Sequence, residues 1–308
     1  MNILELLKNI VSAQFLASVI RISTPLIFAS MGGLISEKAG AINIALEGMM
    51  LSAAFTGVIV SHFTASAWLG LLGALISGLL VGLLLGFFHL YFKTNAILAG
   101  IAVNVICSGA TVFLLVALTG EKGNSSSLTS YTLPNVNIPF IEKIPFVGTM
   151  LSGQNILTYL SLIMVVIVYI VMNKTALGRH LQAVGENPAA ASSVGINVIR
   201  SRYIAYGLSG IIAAFGGANL SMGYLPLFQR DMTAGRGFIA VAAIFLGSKQ
   251  PIPVFLAALF FGFSDALANQ IGLLGYPAQF IQMIPYLATV LALIFAAKRA
   301  ETKTHGLA

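Results

Sequence analysis

The chain has 308 residues, of which 58% are hydrophobic and 8% are charged, whereas an ordinary soluble domain has about 25% charged residues. This composition excludes a soluble domain and predicts an all-α, polytopic membrane protein. The formal net charge of +7 does not indicate nucleic-acid binding, because the basic residues stand at the ends of apolar runs and form no cluster with aromatic residues.

Apolar runs recur along the whole chain, and most reach the roughly 20 residues that a spanning helix needs. We predict about nine transmembrane helices in a single domain, 1–308, with a short interfacial helix at 3–12 ahead of them. Pro25 interrupts the first run, and the seventh run is short. The predicted spans are 13–35, 41–62, 67–92, 96–119, 155–172, 203–222, 231–248, 252–270 and 278–297.

The connections between these spans predict the orientation. Ten Lys and Arg residues lie on one side and five on the other, so the positive-inside rule places the richer side and the C-terminus in the cytoplasm, with the N-terminus outside. The richer side holds Lys38, Lys93, Lys174, Arg179, Arg200, Arg202, Lys249, Lys298, Arg299 and Lys303. The outer connection, 120–153, is either a solvated loop or a docking surface for an extracellular partner.

The second and seventh predicted spans resemble each other. After Glu47-Gly48 and after Arg236-Gly237, an Ala pair and a large apolar residue follow at identical offsets. The two spans run in opposite directions in the predicted topology, which favours an inverted repeat of the kind found in transporters. The first repeat would cover about 13–119 and the second about 203–297.

Polar residues at the predicted membrane depth are candidates for a translocation path. Glu47 begins a span beside Asn43, where it could complement the positive end of its own helix or face a polar path. Asn104 lies deep in the fourth span, where an amide either hydrogen-bonds a neighbouring helix or contacts a ligand.

Arg236, the repeat counterpart of Glu47, is the fourth candidate for the path. It could instead pair with Asp231 or anchor near the headgroups on the outer side. Arg21 lies inside the first span, where its side chain could extend to the outer surface. Asp265 is expected near an outer helix end and at least half exposed.

The inner connection predicts a short structured helix within a segment at 178–200. Asn187 can cap a helix that has Pro188 at its first position, Ala189 and Ala190 continue it, and Gly195 can end it. Arg179 precedes this helix. A helix that merely joins two spans is the alternative.

Two blocks of sequence resemble a known family, the permeases of ABC importers for simple sugars, branched-chain amino acids and nucleosides. One block is Gly185-Glu186-Asn187-Pro188-Ala189-Ala190 followed by Gly195-Ile196-Asn197. The other is residues 37–50, which look most like the nucleoside-type members. The resemblance implies that the inner helix is a coupling helix that docks into an ATPase. The implied coupling residues are Arg179, Gly185, Glu186, Asn187, Pro188, Ala189, Ala190 and Gly195.

The same resemblance implies the partners and the location. An ATPase subunit would bind ATP and Mg at the cytoplasmic face, because this chain has no Gly-Lys dipeptide and so no phosphate-binding loop of the Walker type. A second, different permease would complete the path, since this chain looks like the smaller of two subunits. An extracellular lipoprotein would deliver the substrate, and lipid of the bacterial plasma membrane would surround the helices.

The expected function is therefore a transport subunit, without catalytic residues, cofactor or metal of its own. The expected substrate is a nucleoside, and the alternatives are a simple sugar such as ribose or a branched-chain amino acid. A secondary transporter driven by an ion gradient is the alternative of another class, because inverted repeats and intramembrane charges also occur there. A membrane-embedded enzyme would need a convergent catalytic set, and the sequence offers none.

Overall fold

A computed structural model describes residues 12–139, 144, 146–272, 283, 287 and 290. Apart from isolated positions, the predicted helix at 3–12 and the predicted ninth span at 278–297 lie outside the described residues. Within the described part the chain is a helical bundle with one short antiparallel strand pair, in which Asn135 pairs with Asn155.

Seven of the described helices are long and apolar enough to cross a membrane. They are α1, α2, α3, α4, α6, α9 and α11, and they confirm the predicted spans at 13–35, 41–62, 67–92, 96–119, 155–172, 203–222 and 252–270. The helices are α1 Ala13–Lys38, α2 Leu46–Thr64, α3 Ala67–Gly86, α4 Ala96–Thr119, α5 Val147–Leu151, α6 Ile156–Lys174, α7 Ala176–Glu186, α8 Pro188–Ser193, α9 Val198–Ala218, α10 Arg236–Leu246 and α11 Pro251–Gly272. Two π-helical turns, Phe87–Tyr91 and Asn219–Tyr224, extend α3 and α9, and the strands are β1 Asn135–Val136 and β2 Gln154–Asn155.

The first helix continues through Pro25 and forms the centre of the bundle. It spans 26 residues, and its middle section is buried, with Ile27 and Phe28 fully enclosed. Helices α9 and α11 pack along it. A proline inside a helix removes one backbone donor, so the carbonyl of Arg21, four residues earlier, lacks its usual helical partner.

Helix α10 is too short to be the predicted seventh span. It has 11 residues, which corresponds to about 16 Å at 1.5 Å per residue, or half of a hydrocarbon core of about 30 Å. The predicted start at 231 is wrong because Asp231, Ala234 and Gly235 all have positive φ, a backbone conformation that a right-handed helix excludes. Helix α10 can therefore cross only about half of the membrane.

Close packing of α3 against α9 depends on small residues. A Cβ atom added to Gly82 would collide with the carbonyl of Tyr206, and one added to Gly78 would collide with the carbonyl of Gly210. Backbones that approach this closely are typical of helix contacts in lipid.

Residues predicted to be cytoplasmic meet at one end of the bundle. The Nζ atom of Lys249 lies 2.7 Å from Oε1 of Glu37, and Nε of Arg202 donates to the carbonyl of Ala39 over 3.4 Å. At the other end, the outer connection is bonded to the bundle, since the N–H of Ser125 donates to the carbonyl of Phe228 over 2.9 Å. The described part of the outer connection is therefore bonded to the bundle.

Candidate functional site

The carboxylate of Glu47 lies between the N-termini of two helices. Its Oε1 accepts from the N–H of Gly235 over 2.7 Å, and its Oε2 accepts from the N–H of Gly237 over 2.6 Å. Glu47 itself is in the first turn of α2, so the positive ends of α2 and α10 both face this carboxylate. The sequence left open whether Glu47 complements its own helix or faces a polar path, and it missed the two hydrogen bonds to α10.

The equivalent glycines of the two similar segments make the close approach possible. A Cβ atom on Gly237 would collide with the backbone N of Glu47, and one on Gly48 would lie 2.9 Å from Oδ1 of Asn104. Neither position has room for a larger side chain. The two segments that resemble each other in sequence therefore meet, N-terminus to N-terminus, in the interior of the bundle.

Two asparagines support the non-helical segment 41–45 that leads into α2. Asn104 accepts from the N–H of Gly48 over 2.8 Å and donates to the carbonyl of Ile44 over 2.9 Å. Asn43 donates to Oγ of Ser209 over 2.8 Å and accepts from the N–H of Ala45 over 2.9 Å. Irregular backbone at membrane depth needs such partners, because lipid supplies none.

A cavity of about 210 Å³, the α2–α4 cavity, lies beside this cluster. Oγ of Ser108 donates to Oδ1 of Asp231 over 3.2 Å at its edge. Ser108 stands at the midpoint of α4, and the side chain of Asp231 is 59% exposed. The lining residues are Glu47, Gly48, Leu51, Asn104, Val105, Ser108, Asp231 and Thr233.

A second cavity of about 270 Å³, the α1–α9 cavity, lies on the other side of the loop 231–234. Asp231 lines both cavities. Arg236 lines the second, and its Nη2 lies 3.2 Å from Oδ2 of Asp265. The lining residues are Arg21, Ile22, Pro25, Asn219, Leu220, Tyr224, Leu225, Gln229, Arg230, Asp231, Met232, Ala234, Arg236 and Asn269.

Two expectations about these charges are wrong. Asp231 pairs with Arg230, at 3.4 Å, and not with Arg236. Asp265 is not half exposed, since its side chain is 25% exposed against Arg236. An ionisable residue inside a predicted span was the signal that could have identified Asp265 as the partner.

The four residues predicted for the path are thus distributed over the two cavities. Glu47 and Asn104 line the α2–α4 cavity and Arg236 lines the α1–α9 cavity, while Asn43 is buried and lines neither. Their role in a path stays a prediction. Among the described residues, no group of three or more His, Cys, Asp and Glu residues is placed to hold a metal ion.

The inner connection forms the two short helices α7 and α8. Oδ1 of Asn187 accepts from the N–H of Ala190 over 3.1 Å, Pro188 is in the first turn of α8, and Gly195 has a φ of +86°. Residues 186–190 and Arg179 are exposed. The end of α7 packs on the end of α1, where Gly185 leaves no room for a Cβ atom beside the carbonyl of Lys38.

Known proteins resemble the chain over its full length. It is 33% identical to "Guanosine ABC transporter permease protein NupQ" of Bacillus subtilis and 34% identical to "Nucleoside ABC transporter permease protein NupC" of Lactococcus lactis, in each case over 100% of this chain and 98% of the relative. "Glucose ABC transporter permease protein TsgB13" of Haloferax volcanii is 28% identical over 89% of this chain and 74% of that protein.

The fold resembles a solved structure as well. A chain of "PsaBC from Streptococcus pneumoniae in complex with Fab" superposes with a TM-score of 0.53 at 15% identity, over 96% of this chain and 95% of that chain. A family model described as "Branched-chain amino acid transport system / permease component" matches residues 15–295. The chain therefore belongs to this family of membrane-embedded ABC transporter permeases.

Proposed function

We propose that this chain forms one half of the translocation path of an ATP-driven nucleoside importer in the bacterial plasma membrane. The observation that carries the proposal is the α2–α4 cavity, where the exposed carboxylate of Asp231 accepts from Ser108 at the midpoint of the spanning helix α4. Charged side chains at this depth face a cavity or a protein partner and not lipid. The cavity therefore belongs to an aqueous path or to a contact with another subunit.

A second, different permease subunit is the partner that would cover this cavity. It would enclose the exposed edge formed by Ser108 and Asp231, and the path would then run between the two chains. Helix N-termini that point at a site from two sides of a membrane are a recurrent feature of transporter binding sites. Here Glu47 neutralises two such ends, so that the adjoining cavity suits an uncharged polar substrate.

The ATPase would dock on the segment 178–200, bind ATP and Mg, and supply the work of transport. The end of α7 lies against Lys38 and Gly40, where an added Cβ on Gly40 would approach Cα of Gly185 to 3.1 Å. Residues 41–45 connect this contact directly to α2 and Glu47. A displacement of the segment 178–200 would therefore reach Glu47 through about seven residues of chain. Such a displacement requires that the ATP-bound ATPase binds one of two conformations of the permease more tightly than the other.

The relatives support the choice of substrate. Guanosine and nucleoside permeases of two bacteria match this chain end to end, and an extracellular lipoprotein would present the nucleoside to the outer connection, 120–153. The glucose permease relative supports a simple sugar as the second candidate. The proposed orientation has the N-terminus outside and the C-terminus in the cytoplasm, in agreement with the Lys and Arg residues that gather at one end.

The test is reconstitution of the chain in liposomes with the permease, ATPase and binding protein encoded beside it. Binding protein loaded with guanosine, glucose, ribose or leucine would be added in turn, and ATP hydrolysis and uptake would be measured together. Stimulation by guanosine alone is the expected result. Stimulation by a sugar or by leucine would refute the substrate, and uptake by this chain alone under an ion gradient would refute the ATP-driven mechanism.

A further inference from the structure

We propose that the α1–α9 cavity is a nucleoside-binding site contained within this single chain, distinct from the α2–α4 cavity on the path. The choice of a nucleoside rests on the proposed function. The existence of the site rests on the geometry of the cavity wall, which surrounds about 270 Å³ of space. The wall contains buried polar atoms without partners, an exposed aromatic residue and a guanidinium that has no carboxylate partner among the described residues.

The first observation is a buried amide without a partner. Asn219 is 2% exposed and lines the cavity, yet its Oδ1 has no hydrogen-bond partner among the described residues. Nε of Arg236, a residue that also lines the cavity, is likewise buried and unpartnered within that part of the chain. Buried polar groups in proteins are nearly always hydrogen-bonded, so a ligand that reached either atom would supply a partner that the described residues do not.

The second observation is the backbone that presents Asn219. The π-helical turn Asn219–Tyr224 ends α9 here, and π-helical turns are frequent at functional sites. On the facing helix, Pro25 leaves the carbonyl of Arg21 without its helical donor. Both walls therefore carry local departures from regular helix at the level of the cavity.

The third observation is a flat surface that suits a base. Tyr224 is 50% exposed, and Cζ of Arg21 lies 5.7 Å from the centroid of its ring. Nucleobases stack on aromatic rings and on guanidinium planes. A simple sugar or an aliphatic amino acid has no planar face for this surface, so the chemistry of the wall favours a nucleoside over either of them.

The charges favour a neutral ligand with at most a weak preference for anions. Three arginines line the cavity. Arg230 pairs with Asp231 and Arg236 pairs with Asp265, whereas Arg21 has no carboxylate within ion-pair distance among the described residues. The volume, about 270 Å³, is just below the range for small-molecule pockets, about 300–1,000 Å³. It suits one nucleoside and not a dinucleotide.

The position of the site gives it a role. The loop 231–234 separates it from the α2–α4 cavity, and Asp231 lines both spaces. A nucleoside held against Asn219 and Tyr224 would lie one loop away from the path. The chain would thus bind substrate before or beside the passage between the two subunits.

The test is direct binding to the assembled permease–ATPase complex in nanodiscs, without the binding protein. Tritiated guanosine is expected to bind saturably to the wild type. Tyr224→Ala is expected to weaken binding about fivefold to 150-fold, because loss of a stacked base contact costs about 1–3 kcal/mol. Asn219→Ala removes a hydrogen-bond acceptor and is expected to weaken binding about fivefold. Tyr224→Phe keeps the ring and is expected to bind like the wild type. Tyr131→Ala removes an exposed ring outside the cavity and serves as the matched control.

Competition identifies the ligand chemistry. Unlabelled adenosine is expected to displace guanosine, whereas ribose and inorganic phosphate are not. Displacement by phosphate would show an anion site at Arg21 and overturn the proposal, as would saturable binding that Asn219→Ala and Tyr224→Ala leave unchanged. If the complex imports guanosine but does not bind it in this assay, the α1–α9 site is refuted and the proposed function is not. If the complex imports a sugar and not guanosine, the proposed function itself is refuted.

Discussion

Replacing Glu47 by alanine tests the junction between α2 and α10. The substitution removes the acceptor of two short hydrogen bonds, from Gly235 and from Gly237, and no other side-chain acceptor bonds these two N–H groups in the described part of the chain. Both N–H groups lie at the start of α10, where the helix itself supplies no backbone acceptor for them. We expect α10 to detach locally from α2.

The magnitude follows from the two bonds. A hydrogen bond to a charged group contributes about 1.5–3 kcal/mol, so the pair contributes about 3–6 kcal/mol. Glu47 is half-buried, and this partial exposure favours the lower end of that range, about 3 kcal/mol. A loss of that size raises the equilibrium constant for local opening about 150-fold. Glu47→Gln keeps one carbonyl acceptor and turns an amino group toward the other donor, so its effect should be at least half as large.

Hydrogen–deuterium exchange measures this opening directly. The amides of 235–237 are expected to exchange about 100-fold faster in Glu47→Ala, and nucleoside uptake is expected to fall with them. Glu121→Ala removes an exposed carboxylate from the outer connection and should change neither quantity. Unaltered exchange at 235–237 in Glu47→Ala would show that the carboxylate does not hold α10.

Three further predictions concern the coupling segment and the path. Gly185→Ala forces a Cβ atom into the backbone at the end of α1 and should uncouple ATP hydrolysis from uptake, whereas Gly123→Ala, which has open space around it, should not. Asn187→Ala removes the cap of α8, which should cost about 1 kcal/mol and reduce substrate-stimulated ATP hydrolysis while basal hydrolysis persists. Ser108→Cys should react with a charged thiol reagent in the assembled complex, and nucleoside should protect it. Phe113→Cys, on an exposed apolar face, should not react with the reagent. Equal labelling of the two variants would contradict an aqueous α2–α4 cavity.

Most of the fold could be predicted from the sequence because apolar length and helix signals are local. The helix α4 has the predicted bounds, 96–119, since Asn95 caps its start and Gly120 ends it. The helix α8 was equally predictable, because Asn187, Pro188 and Gly195 each act on their own few residues of backbone. The permease family was recognised from the same segment.

The junction could not be predicted in full because its partners are remote in sequence. Apolar composition extended the predicted helix back to 231. In the structure the positive φ values of Asp231 and Ala234 exclude a helix there, so that α10 begins only at Arg236. Glu47 bonds to groups 188 and 190 positions away, and the choice of Asp265 over Asp231 as the partner of Arg236 depends on how α11 packs. No local pattern in the sequence indicates which of these remote residues come into contact.

The junction also restricts how the chain can move during transport. If α10 moved away from α2, the carboxylate of Glu47 and two backbone N–H groups would lose their partners together in a medium of low dielectric. A motion that carries both helices as one body has no such cost. The flexible positions would then be the two segments that enter the junction, residues 39–45 and 231–234, where the backbone already departs from helix. Since the first segment contacts the end of α7 and the second separates the two cavities, a rigid α2–α10 unit would link the end of the bundle that carries α7 to the wall between the cavities.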